Sequence, residues 1–127
     1  ADAVRDTGGS LRTLEIDKAR KKAARQNLRE AKLEDFVRME VCDAGEFLRD
    51  YQKYFDVVLL DADRSRYTDY WPHLRRILTK PGSLLVVDNV LSHTEEVQEF
   101  IALVEADKHF SSTMLDIGAG LLLASSV

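Results

Sequence analysis

Acidic side chains follow nearly every stretch of this sequence that reads as a β-strand. Glu15 and Asp17 close the segment Leu11 to Ile16. Asp43 follows Val37 to Val41, Asp61 and Asp63 follow Phe55 to Leu60, and Asp88 with Asn89 follows Ser83 to Val87. In open sheets built from strands alternating with helices, ligands bind beyond the carboxyl ends of the strands. A carboxylate at Glu15 can accept hydrogen bonds from both ribose hydroxyls of a nucleoside, while the neighbouring Asp17 can cap the next helix. Asp43, with Ala44 beside it, can accept from an adenine amino group or cap a short helix, and the two roles are compatible. Asp61, Asp88 and Asn89 follow the two most apolar strands. Three oxygen donors there suit a hard divalent cation such as Mg²⁺.

The elements that must position these groups alternate between two periods. A helix is expected from Asp17 to about Lys32, with Lys18, Arg20, Lys21, Lys22, Arg25, Arg29 and Lys32 on its solvated face. The apolar runs at 55–60 and 83–87 read as strands buried on both faces, as in parallel sheets. Trp71, Leu74, Ile77 and Leu78 mark a helix whose first turn must contain Pro72. Ser92 and Glu95 have capping-box spacing ahead of a helix with Val97, Phe100, Ile101 and Val104 on its buried stripe. Phe110 to Leu115 and Leu121 to Ala124 flank the short Gly118-Ala119-Gly120 link, which predicts an antiparallel pair. Ala1, Ala3 and Val4 read as the last turn of a helix stopped at Gly8-Gly9, so a preceding segment is expected. The whole reads as one incomplete α/β domain, residues 1–127.

Composition narrows the function classes. With 18 basic and 22 acidic residues the formal net charge is -4, which gives no general attraction to nucleic acid or anionic membranes. A lone Cys42 excludes an internal disulfide and reads as a small buried hydrophobe. No apolar run reaches spanning length and no secretory leader is recognisable, so the cytoplasm is the expected compartment. His73, His93 and His109 lack metal-ligand spacing. His93 lies near Asn89 but reads as a surface residue, and Tyr67, Tyr70 and Trp71 read as core.

The ordered set Thr13-Leu14-Glu15-Ile16-Asp17, Leu60-Asp61-Ala62-Asp63, Pro81-Gly82 and Val87-Asp88-Asn89-Val90 resembles the cation-dependent O-methyltransferases, the group of catechol and caffeoyl-CoA methyltransferases and their bacterial relatives. The resemblance covers essentially the whole chain. It implies a Rossmann-like methyltransferase fold: a mostly parallel, doubly wound sheet with an antiparallel C-terminal pair, here without its first strand and Gly-rich loop. That strand would lie mid-sheet beside the one carrying Glu15. The cofactor implied is S-adenosylmethionine, on Glu15, Asp17, Asp43, Ala44 and Asp61, with a divalent cation on Asp61, Asp88 and Asn89. The implied acceptor is a small, catechol-like hydroxyl compound. The family's catalytic lysine falls at Arg64, which stays protonated and can stabilise a phenolate but cannot act as a base. The segment between Asn89 and the next helix is short beside the longer substrate loop of many relatives. Homodimers are common among them. Two rival readings stand beside this one: a nicotinamide-dependent oxidoreductase, which lacks a YxxxK pair here, and a truncated, non-catalytic module.

Overall fold

The computed structural model describes residues 1–127. The chain divides into two compact units, Ala1–Phe47 and Leu48–Val127.

The first unit opens with helix α1 (Asp2–Thr7), which ends at Gly8 in the left-handed region (φ 71°), a conformation that glycine adopts without a Cβ clash. Strand β1 (Leu11–Glu15) leads through helix α2 (Lys18–Glu30) and a 3-10 turn (Glu34–Phe36) to strand β2 (Val37–Val41). β1 and β2 pair in parallel, Leu11 opposite Val37 and Glu15 opposite Val41. The Asp17 carboxylate accepts from the Ala19 and Arg20 amides at 2.7 and 3.2 Å. It therefore caps α2 as its position predicts, and these amide bonds hold its carboxyl below the usual carboxylate range. At the other end, Arg25 and Arg29 both reach Glu34, each at 2.7 Å. No residue of α2 is buried. The expected basic face is mostly exposed, although Lys21 is half-buried. Helix α3 (Ala44–Asp50) follows β2, and the boundary between the units falls within it.

The second unit holds a four-stranded sheet in the order β3-β4-β6-β5. β3 (Val57–Leu60) and β4 (Leu84–Asp88) are parallel. β6 (Leu121–Ser126) is antiparallel to both β4 and β5 (Phe110–Leu115). Helices α4 (Tyr67–Ile77) and α5 (Thr94–Ala106) supply the apolar stripes. Leu85, Val87, Leu122 and Ala124, alternate residues of two paired strands, are buried together with Leu74, Val97, Phe100 and Val104. Tyr67 and Trp71 both meet the Phe100 ring edge-on, as aromatic rings prefer. The expectation that Tyr67, Tyr70 and Trp71 serve the core is met.

Four local expectations are corrected. β3 is not buried on both faces: Val57 and Leu59, alternate residues on one face, are 60% and 68% exposed, whereas Val58 and Leu60 face the covered side; β3 also pairs only with β4. Pro72 is not in the first turn, since α4 already begins at Tyr67. The missing amide costs about 3 kcal/mol in a helix interior. Burial of Tyr67, Tyr70, Trp71, Leu74 and Ile77 on one stripe offsets it, at roughly 1.5–3 kcal/mol per large apolar side chain. Ser92 and Glu95 form no capping box: α5 starts at Thr94, and no side chain caps it. Cys42 is half-buried rather than fully buried, and burial pushes its thiol up, helped by Glu40, Asp43 and Glu46.

No helix is long and apolar enough to cross a membrane.

Candidate active site

In the first unit the parallel register brings the ends of β1 and β2 level, so Glu15 and the segment Cys42-Asp43-Ala44 share one edge. Glu15 accepts the Asp17 amide on Oε1 at 2.9 Å. Its carboxylate is thereby held at the strand end, with Oε2 left for a further donor. Asp43 accepts the Glu46 amide at 3.0 Å, the capping role that the sequence allowed, and Ala44 is the first residue of α3.

In the second unit Leu60 pairs with Val87. Asp61 and Asp88 are the next residues of two adjacent parallel strands, whose backbones lie about 5 Å apart. Asp61 is exposed, and Asp88 and Asn89 are half-buried. Asp88 Oδ1 accepts the Asn89 amide at 2.7 Å. Asn89 adopts φ 63°, which asparagine tolerates better than most residues. The chain thus turns sharply at the end of β4 and keeps Asn89 next to Asp88.

Three contacts brace the loops that carry these groups. The buried Tyr67 hydroxyl accepts the Ala62 amide at 3.0 Å, tying down the residue after Asp61. Burial raises the Tyr67 phenol, which keeps it neutral. Asp63 accepts from the Ser65 hydroxyl at 2.7 Å and the Ser65 amide at 3.1 Å, bonds that lower its carboxyl. Beyond Asn89, the amides of Val90, Leu91 and Ser92 donate to the carbonyls of Gly120 and Ala119 in the β5–β6 link. Gly120 has φ 89°, and a Cβ there would meet Leu91 Cγ at 2.4 Å, so only glycine fits under this turn. The Gly118-Ala119-Gly120 segment is a turn as expected, and it is also the floor of the Asn89 loop.

Arg64 lies in a 3-10 turn (Arg64–Arg66) and donates to Glu96 of α5 at 3.1 Å. Only residues 90–93 separate Asn89 from α5, so the short segment read from the sequence is present. The sequence reading missed Tyr67 as an anchor, Glu96 as the partner of Arg64, and the Ser92-His93 pair. Ser92 Oγ lies 3.2 Å from the Asn89 carbonyl and 2.8 Å from His93 Nδ1. Arg64 and Glu96 are 32 residues apart, and no local pattern announces such a pair. The Ser-His neighbours beside Asp88-Asn89 were the one usable signal.

Asp61 makes no hydrogen bond or ion pair, and Asp88 keeps Oδ2 uncommitted. Two carboxylates and an amide oxygen at one sheet edge are a donor set that fits a hard cation.

The family model for O-methyltransferase matches residues 3–127. A catechol O-methyltransferase of Niastella koreensis is 33% identical over 95 residues, covering 72% of this chain and 42% of that protein. The chain spans less than half the length of the curated relatives it matches. Among solved structures, the SAH-bound methyltransferase PaMTH1 of Podospora anserina superposes with a TM-score of 0.87 at 19% identity, over 99% of this chain and 64% of that one. The Bacillus cereus O-methyltransferase in complex with SAH gives 0.80 at 24% identity, over 94% and 64%. At these identities the two structures speak for the fold, which is the Rossmann-like methyltransferase fold. The family match also favours the methyltransferase reading over the nicotinamide one. On the sequence match over nearly its whole length, the chain belongs to the O-methyltransferase family.

Proposed function

We propose that this chain carries the cofactor-reading and acceptor-activating residues of an enzyme that moves a methyl group from S-adenosylmethionine to a hydroxyl of a small, catechol-like acceptor. The observation that carries the reading is the level alignment of Asp61 and Asp88 at adjacent parallel strand ends, with Asn89 held next in line.

In this reading Glu15 accepts from the ribose hydroxyls of the cofactor through the carboxylate oxygen that Asp17 leaves free. Asp17, Asp43 and Ala44 complete the nucleoside side, with Asp43 aimed at the adenine amino group. Asp61 also faces the methionine amino group, where opposite charge favours the pair. Asp61, Asp88 and Asn89 would hold a divalent cation. When bound, that cation lowers the pKa of an acceptor hydroxyl and orients it. Two adjacent hydroxyls suit such a site better than one. Arg64, steadied by Glu96, sets a permanent positive charge where the acceptor oxygen becomes anionic. Methyl transfer itself is an in-line displacement on the sulfonium carbon, so fixed positions supply much of the rate. The reading also keeps a soluble, cytoplasmic enzyme with no nucleic-acid or membrane partner, in one methyltransferase domain that pairs as a homodimer.

The test is transfer of a tritiated methyl group to catechol and to phenol, with Mg²⁺ or with a chelator. Strong preference for catechol, lost with the chelator and reduced at least about 100-fold in Asp88→Ala, is the expected result. Equal use of phenol and catechol, indifferent to the chelator, would remove the cation and the diol from the account.

A further inference from the structure

A reaction at a neutral acceptor hydroxyl needs somewhere for its proton to go, and most groups at this edge are unable to take it. Arg64 stays protonated. Asp63 is bonded twice to Ser65, Glu96 is paired with Arg64, and the Tyr67 phenol is buried and bonded to Ala62. Asp61 and Asp88 are assigned to the cation.

We propose that His93 is the base that accepts the acceptor's proton, on Nε2, in the methyl transfer proposed above, on which this inference rests. Its ring is half-buried in the residue just ahead of α5, four residues beyond Asn89 and one helical turn before Glu96. Through the bond from Arg64 to Glu96, that turn of α5 is tied to the segment following β3. His93 therefore lies in the segment that follows β4, at the carboxyl edge that carries Asp61 and Asp88.

The contacts around the ring admit the tautomer that this role needs. Ser92 Oγ lies 3.2 Å from the Asn89 carbonyl, which can only accept, and 2.8 Å from His93 Nδ1. In the proposed arrangement Ser92 gives its single proton to the Asn89 carbonyl and accepts from His93 Nδ1–H. A neutral ring protonated on Nδ1 has a bare lone pair on Nε2, the form a general base needs. Ser92 acts here as the orienting third group, and its own anchor is the Asn89 backbone. In the step, the acceptor O–H bond breaks and its proton passes to Nε2. The oxygen lone pair forms the O–CH₃ bond, and the S–CH₃ bond breaks to release S-adenosylhomocysteine. The imidazolium then returns its proton to solvent.

Two measurements test this. Long-range ¹⁵N correlation spectra of the unligated protein should show His93 protonated on Nδ1, with Ser92→Ala releasing the ring to the other tautomer. A wild-type ring protonated on Nε2 overturns the proposal. In turnover assays, His93→Gln should lower kcat on catechol about 100-fold with KM little changed. It should have only a small effect on 4-nitrocatechol, which is already largely ionised at mildly alkaline pH and needs no base. An equal loss on both substrates would mark His93 as structural and overturn the assignment. Absence of methyl transfer by the wild-type protein to either acceptor is a separate outcome that defeats the parent reading itself.

Discussion

The two units hold their carboxylates by different means. In Leu48–Val127 the strand ends rest on a sealed core: Leu85, Val87, Leu122 and Ala124 are fully buried beneath α4 and α5. In Ala1–Phe47 no large apolar side chain is buried, and order comes from polar contacts at the surface. Asp17 caps α2, Glu34 gathers Arg25 and Arg29, and Arg12 reaches Glu40 at 3.5 Å. Exposed ion pairs are individually worth little. A site built on the second unit thus rests on packing, whereas Glu15 and Asp43 sit on a scaffold in which polar contacts carry more of the order, so it is expected to respond more to pH and salt.

The sharpest break between the units is a cavity. Phe100→Ala should cost about 3–5 kcal/mol in denaturant unfolding, since Phe100 contacts both Tyr67 and Trp71. Leu28→Ala on the half-buried face of α2 should cost about 1 kcal/mol or less. Comparable losses would mean that the first unit has a core after all. A smaller effect is expected at Gly120. An alanine there would strike Leu91 and would have to hold φ 89°. Gly120→Ala should cost roughly 1–3 kcal/mol and, if the proposed cation site is correct, weaken Mg²⁺ binding by displacing the Asn89 loop. Loss of stability with cation binding intact would detach the turn from the site.

The smallest effect is one of pH, and it belongs to the first unit. Asp17 is lowered by its bonds to the Arg20 and Ala19 amides, and Glu34 by Arg29 and Arg25. A carboxyl lowered in the folded state adds stability above its unfolded pKa and loses it as pH falls through the folded value. Acid titration followed by circular dichroism should therefore show α2 losing helix below the ordinary carboxylate range. Asp17→Asn and Glu34→Gln should flatten that loss. A helix indifferent to these changes would show that the polar contacts are incidental.

What was legible in the sequence follows the same division. β2 and β5 begin and end where the apolar alternation places them, and the Asp17 cap was readable because capping is local. The acidic strand ends were readable because a parallel sheet makes its carboxyl edge the binding edge. The failures involve distant partners. An apolar run cannot reveal which of its faces is left uncovered, so Val57 and Leu59 read as buried. Pro72 looked like a helix start because propensity was weighed without the aromatic stripe that keeps α4 helical around it. Ser92 and Glu95 have capping-box spacing, but Ser92 is turned toward Asn89 and His93 instead.

The central claim is that this carboxyl edge reads a nucleoside cofactor through Glu15. Its most direct test is calorimetric titration of the protein with S-adenosylhomocysteine, alongside Glu15→Ala. Charge-assisted hydrogen bonds of about 1.5–3 kcal/mol predict saturable binding that weakens roughly tenfold to a hundredfold in the variant. Binding of equal strength in both proteins would contradict the account.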